Sequence, residues 1–251
     1  MPLMHICRTK FKKEIVTEFV PPANRRSNKV MIFCSGVPGS PSKDEVLEFY
    51  ARKGFWTFFP RYRGSWESGG EFLKHSLERD LLDVIDALKY SFKDIWSKKS
   101  YRVDARHVTV VGTSFSGPAA ILATRDPRVQ KAVCISPVVD WNEENRSDPL
   151  DDLYGILKEG YGHAYRISKR DWDRLKTGRF YNPVNYLQEI DGKCILIFHA
   201  KDDDIVKYGP VARFAKKTGC RLVSFKKGGH LSSGLLTQHR HYWRLRRFLQ
   251  S

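Results

Sequence analysis

Residues 107–120, His-Val-Thr-Val-Val-Gly-Thr-Ser-Phe-Ser-Gly-Pro-Ala-Ala, constrain this chain more than any other stretch. A β-branched run of this kind reads as a buried strand, and it breaks at small residues just before an Ala-rich helical segment. The serine at the break, Ser114, is then delivered on a sharp strand-to-helix turn, the layout of a nucleophile elbow. Such a turn strains its central residue, and side chains two positions to either side collide unless they are small. Gly112 and Ser116 satisfy that demand, with serine standing where the usual pattern has a second glycine. The plainer reading, a Gly-Ser turn capping a helix that begins near Phe115, explains neither the strand before it nor the small residues on both sides.

With 251 residues, 41% of them hydrophobic and 13% aromatic, the chain can bury the core of one α/β domain and is not a disordered polymer. Its net charge of +16 is unusual. Long-range attraction of that size favours anionic small molecules, nucleic acid or acidic lipid. Lys and Arg are spread along the whole chain, however, which suits a solvated basic surface better than a dedicated nucleic-acid or membrane face. The five cysteines, Cys7, Cys34, Cys134, Cys194 and Cys220, form no close pairs, and three of them sit in apolar runs as small hydrophobes. A reducing, cytoplasmic setting is expected. The first residues lack a continuous apolar centre, and no stretch has the length to cross a bilayer.

In order, residues 6–11 and 14–20 suggest an antiparallel hairpin, closed off by Pro21-Pro22. Residues 30–34 and 55–59 read as strands, with a helix between them capped by Ser42 and ended at Gly54. A second helix is predicted from Leu77, Leu81, Val84, Ile85, Leu88 and Phe92, which trace one face at a 3.6-residue period. The elbow strand and its helix follow, then a strand over 129–135. Strands alternating with helices imply right-handed crossovers and a mostly parallel sheet covered on both faces. The alternation lapses over 141–181, a polar and aromatic stretch punctuated by Asp148-Pro149 and several glycines. Within a single domain spanning 1–251, that stretch is expected to be an inserted cap or lid over the sheet's carboxyl edge. Strands at 194–199 and 221–225 and helices at about 208–217 and 238–249 complete the pattern.

A serine hydroxyl at neutral pH is a poor nucleophile and needs a histidine, itself oriented by a carboxylate. Here Ser114, the run Asp202-Asp203-Asp204 and His230 each follow a predicted strand, in the order Ser, acid, His. Parallel strand ends lie side by side along one edge, so the three converge there. The residues alone leave open which aspartate is the partner.

The segments Val-Val-Gly-Thr-Ser-Phe-Ser-Gly around Ser114, His-Ala-Lys-Asp-Asp-Asp-Ile-Val from His199, and Gly-Gly-His ending at His230 resemble the catalytic blocks of α/β-hydrolases. The likeness is to the prolyl oligopeptidase catalytic domain and to dienelactone hydrolase. Tyr62-Arg63-Gly64-Ser65 is similar to the Tyr-Arg-Gly block that such proteins carry after their fourth strand. From about residue 30 onward, the resemblance implies an α/β-hydrolase fold with Ser114 as nucleophile, His230 as base and Asp203 as acid, the middle aspartate aligning with the family's. It also implies an oxyanion hole made by the backbone N–H groups of Phe115 and, from Ser35-Gly36-Val37, of Val37, because Pro38 has none.

The expected activity is that of a serine esterase cleaving carboxylic esters through an acyl-enzyme, with no cofactor or metal, on a small acyl substrate that its charge would let be anionic. Trp141 and Tyr161 are candidate pocket walls. An oligopeptidase-type peptidase and an acyl thioesterase are the alternatives within the class. The peptidases of this type gate their sites with a large separate domain for which this chain has no room. A non-catalytic binding protein on the same fold would be expected to lack one member of the Ser, acid, His set, and none is missing. His199 reads as a structural strand-end histidine, while His5, His75 and His107 show no metal-ligand spacing. The basic helix at the C-terminus reads as one that packs Tyr242, Leu245 and Leu249 on the sheet.

Overall fold

A computed structural model describes residues 5–147 and 149–251; Asp148, part of the predicted punctuation, lies outside them. The expected hairpin is formed by β1 (Cys7–Phe11) and β2 (Ile15–Val20). Then follow β3 (Lys29–Phe33), α1 (Asp44–Arg52), β4 (Trp56–Pro60), α2 (Glu78–Ala87), β5 (His107–Thr113), α3 (Gly117–Ala123) and β6 (Val129–Ile135). Beyond the inserted segment come β7 (Ile195–Ala200), α7 (Tyr208–Thr218), β8 (Arg221–Phe225) and α8 (His239–Gln250). The strands make one eight-stranded sheet, ordered β1-β2-β4-β3-β5-β6-β7-β8. β2 runs antiparallel to both β1 and β4, and every pairing from β4 to β8 is parallel.

Alternation along the strands divides the core into two layers. Val108 and Val110 of β5, with Ile195 and Ile197 of β7, face the layer filled by Leu81, Val84, Ala119, Ala120, Val211 and Phe214 from α2, α3 and α7. Val111, Leu196 and Phe198 face the other way, onto Val46, Leu47 and Tyr50 of α1 and Leu245 and Phe248 of α8. The terminal helix therefore packs on the sheet as its apolar spacing implies. β5 sits between β3 and β6, so the turn that follows it opens at the middle of the carboxyl edge.

Two sequence expectations fail for local reasons. Phe92 belongs to a short ribbon in which Phe92–Lys93 pairs with Ser100–Tyr101, because α2 stops at Ala87. Its ring joins Phe11 and Phe19, each 5.2 Å away, and helical spacing cannot register such a reversal of the chain. Ser42 does not cap α1 either: Lys43 is the residue before the helix, and Ser42 bonds instead to the Asp44 carboxylate.

The inserted stretch contains α4 (Trp141–Ser147), α5 (Leu150–Ile156), a π-helical turn over Leu157–Tyr161 and α6 (Lys169–Asp173). The loop after β4 anchors it. Arg166 N–H donates to Gly64 O at 2.7 Å, and Phe72 N–H to Arg166 O at 2.8 Å. The Arg166 guanidinium also reaches Trp66 O, His163 O and Ser68 O.

Packing at the elbow sets a stability prediction. A Cβ on Gly112 would lie 2.5 Å from Ser116 O and 2.8 Å from Ala120 Cβ, whereas one on Gly155 in α5 would meet nothing within 4 Å. Gly112→Ala should therefore destabilise the fold by about 1–3 kcal/mol, and Gly155→Ala should stabilise it by about 0.5–1 kcal/mol. Urea unfolding of the two variants measures both signs.

Candidate active site

Ser114 takes φ +54°, a left-handed conformation that serine avoids. Strain of this kind costs about 1–3 kcal/mol and persists only where the surroundings enforce it. Three features do so. Gly112 lets the strand approach α3 closely. Ser116, which the sequence pattern requires only to be small, clasps the turn: its Oγ accepts from Thr113 N–H at 2.8 Å and donates to Thr113 O at 2.9 Å. Tyr181, at the end of the inserted stretch, donates its hydroxyl to Phe115 O at 2.9 Å and accepts from Ala119 N–H at 3.0 Å.

The three aspartates after β7 separate cleanly. Asp203 has a fully buried side chain, and both its oxygens meet His230 Nδ1, at 3.1 and 3.0 Å. Its Oδ1 also accepts the N–H groups of Ile205 and Val206, at 3.1 and 3.0 Å. Asp202 instead holds the histidine loop, accepting from Gly228 and Gly229 N–H at 3.2 and 2.9 Å, while Asp204 is exposed. Burial alone would raise the Asp203 carboxyl, but hydrogen bonds from His230, Ser136 and the Val206 N–H outweigh it and hold the pKa below the ordinary value. The carboxylate thus accepts the His230 Nδ1–H and leaves Nε2 as the acceptor nitrogen.

Ser136 is a member of this network that the sequence does not announce. It follows β6 with φ +43°, bonds to Asp203, and accepts the Leu231 N–H at 3.2 Å. One hydroxyl therefore ties the acid to the residue after His230. His199 is buried, as expected of a strand-end histidine; its Nε2 donates to Val206 O at 2.9 Å, and burial depresses its pKa.

Ser114 and His230 line one cavity of about 470 Å³. No hydrogen bond joins the two among the described residues, and contacts of this type commonly close only when substrate is bound. Val37 and Phe115 line the same cavity. The loop carrying Val37 runs tight against the serine, since a Cβ on Gly36 would lie 3.3 Å from Ser114 Cβ. Phe115 N–H is at the start of the helical turn, where backbone donors lack intrahelical partners.

Trp141 lines the cavity, together with Leu150, Leu153 and Ile156. Tyr161 does not. Its ring is taken up in a cluster with Trp66 and Tyr165, at centroid distances of 6.4 and 5.9 Å. Tyr165 is the aromatic that bears on the site, its hydroxyl accepting the Gly39 N–H at 3.1 Å and so supporting the loop opposite Ser114. Elsewhere, ligand atoms of His5, Cys7 and Asp94 lie within 4.8 Å of one another, a grouping invisible to spacing, but Asp94 already accepts from Arg8 N–H and from Ser97.

A strained serine at the centre of a parallel sheet's carboxyl edge, with an Asp-His pair on the next loops, is the architecture of the α/β-hydrolases. Within that class, residues 41–250 match the model of the prolyl oligopeptidase family, and the chain belongs to that family of serine hydrolases. Solved structures agree on the fold. A Pyrococcus furiosus esterase superposes with a TM-score of 0.71 at 17% identity, over 98% of this chain and 90% of its own. Est1E from Butyrivibrio proteoclasticus gives 0.67 at 17% identity, over 96% and 98%. Pyrococcus horikoshii acylaminoacyl peptidase gives 0.69 at 16% identity over 99% of this chain, which spans only 40% of that protein. A search of curated proteins returned no match. Among the described residues no helix is long and apolar enough to cross a membrane.

The depressed Asp203 pKa fixes the sign of a pH effect. A carboxyl whose folded pKa lies below the unfolded value of about 3.9 contributes stability that is present above that value and lost as pH falls through the folded one. The stability advantage of wild type over Asp203→Asn should therefore shrink on acidification below about pH 4. Ser136→Ala removes one of the bonds holding that pKa down, so it should move the loss to higher pH. Urea titrations between pH 6 and pH 3 measure both effects.

Proposed function

We propose that this protein is a serine esterase that cleaves small carboxylic esters through an acyl-enzyme. The observation that carries the reading is the convergence of Ser114 and His230 on one cavity, with His230 Nδ1 held 3.0 Å from the buried Asp203. Ser114 Oγ attacks the ester carbonyl while His230 Nε2 takes its proton, and Asp203 stabilises the imidazolium. The carbonyl oxygen becomes an oxyanion between the N–H groups of Val37 and Phe115. Collapse of the tetrahedral intermediate expels the alcohol, which leaves with the proton from His230. Water then attacks the acyl-Ser114 carbonyl with the same imidazole as base, releasing the acid and restoring the serine.

In this reading Trp141, Leu150, Leu153 and Ile156 form an apolar wall, and the inserted stretch acts as the lid of the site. No step calls for a metal or cofactor. Esters are favoured over peptides because two esterases correspond to this chain over 90% and 98% of their own lengths. Peptidase activity remains the second reading, supported by the family and by the acylaminoacyl peptidase likeness. A reducing cytoplasm suits the cysteines, all of them free and four of them buried.

Kinetics on p-nitrophenyl acetate, butyrate and octanoate, beside an acylated amino-acid anilide, test the assignment. Ser114→Ala and His230→Ala should lower kcat by about 10⁴- to 10⁶-fold, and Asp203→Asn by about 10⁴-fold with the fold intact. Faster turnover of the anilide than of every ester would reverse the preference. Turnover retained in Ser114→Ala would remove the mechanism.

A further inference from the structure

Lys43 lines the same cavity as Ser114 and His230, at the residue before α1. It is half-buried. Its Nζ donates to Ser233 Oγ at 3.3 Å and lies 5.6 Å from the centre of the Phe59 ring, and among the described residues it has no carboxylate partner. On the loop side of the cavity, Glu18 and Glu67 pair with Arg61, whose guanidinium also reaches Pro41 O. Glu144, itself buried, lines the cavity too. Burial lowers the ammonium's pKa.

Proteins seldom keep a desolvated charge unpaired, because the lost hydration must be compensated by an opposite charge or by hydrogen bonds. Among the described residues, Lys43 has one hydroxyl and one aromatic face. The rest of the wall is divided in kind, with Trp141, Leu150, Leu153 and Ile156 apolar and Lys43 with the hydroxyl-bearing Ser40 and Ser232 polar. A molecule filling such a cavity would present hydrocarbon to one part and a single negative charge to the other.

Resting on the hydrolase reading of this cavity, we propose that Lys43 is a specificity-determining residue that binds the carboxylate of a half-ester substrate, an ester with a free acid on one side and an apolar group on the other. A single unpaired ammonium suits one negative charge better than a phosphate dianion. The chain's net charge of +16 would draw such anions from solution. Chemically, the reaction supplying the substrate would be one that esterifies one acid of a dicarboxylate, and the product would be the free diacid.

The test compares monoethyl adipate with diethyl adipate. Hydrolysis is followed by pH-stat in wild type, Lys43→Met and Lys43→Arg. Lys43→Met replaces the charge by hydrocarbon of similar shape in a partly apolar site, so the fold is expected to survive, and its Tm checks this. The ratio of kcat/KM for half-ester over diester should fall roughly 10- to 100-fold in Lys43→Met. Lys43→Arg should retain most of it, and salt should weaken it in wild type. An unchanged ratio in Lys43→Met overturns the proposal. Calorimetric binding of the same two esters to Ser114→Ala, with and without Lys43→Met, separates this proposal from the hydrolase reading. If wild type turns over neither ester but half-ester binding depends on Lys43, the anion site stands and the hydrolase reading falls. Half-ester binding that is indifferent to Lys43 removes the anion site whatever the turnover.

Discussion

The backbone of Ser114 is the constraint on which the rest depends. A serine at φ +54° stays there only because strand, helix and inserted stretch all press on the same turn. Gly112 removes the side chain that would separate β5 from α3, Ser116 bridges the turn, and Tyr181 pins the first residues of the helix from outside. Central placement of β5 in the sheet then aims the turn at the carboxyl edge, where the loops after β7 and β8 bring Asp203 and His230. Strain at one residue is thereby supported by packing across the domain.

The acidic side of the site is organised around a second constraint, the burial of the Asp203 carboxylate. A buried charge must be solvated by fixed donors. The chain supplies them from three loops, through His230, Ser136 and the N–H groups of Ile205 and Val206. Asp202 does different work from its neighbour, gripping Gly228 and Gly229 from the exposed side. Adjacent aspartates on one turn thus divide between orienting the imidazole and holding its loop. Lys43 is the opposite case, a half-buried charge that among the described residues meets the Ser233 hydroxyl and the Phe59 ring and no carboxylate.

Features carried by short-range pattern were legible in the sequence. The hairpin, the alternation of strands and helices, the elbow and the order Ser, acid, His follow from apolar periodicity and turn chemistry, and the folded chain has them. Assignment of Asp203 within Asp202-Asp203-Asp204 rested on family resemblance, because the direction a side chain takes on a turn is a tertiary property. Phe92 fits a helical period as well as it fits a ribbon, and only Phe11 and Phe19, more than seventy residues earlier, decide between them. Tyr161 and Tyr165 stand four apart in an aromatic stretch, and which of them reaches the loop opposite Ser114 depends on a π-helical turn without a sequence signature. Ser136 carries no motif at all. Its role arises from the end of β6 meeting the loops that follow β7 and β8.

The central claim, that the strained serine is the nucleophile, is tested most directly by locating a covalent adduct. Folded protein treated with a fluorophosphonate, digested and sequenced by tandem mass spectrometry should carry one stoichiometric adduct, on the peptide containing Ser114. The adduct should not form on chain unfolded in urea, where the elbow is absent. Labelling at another residue, or none on protein shown to be folded, would contradict the account.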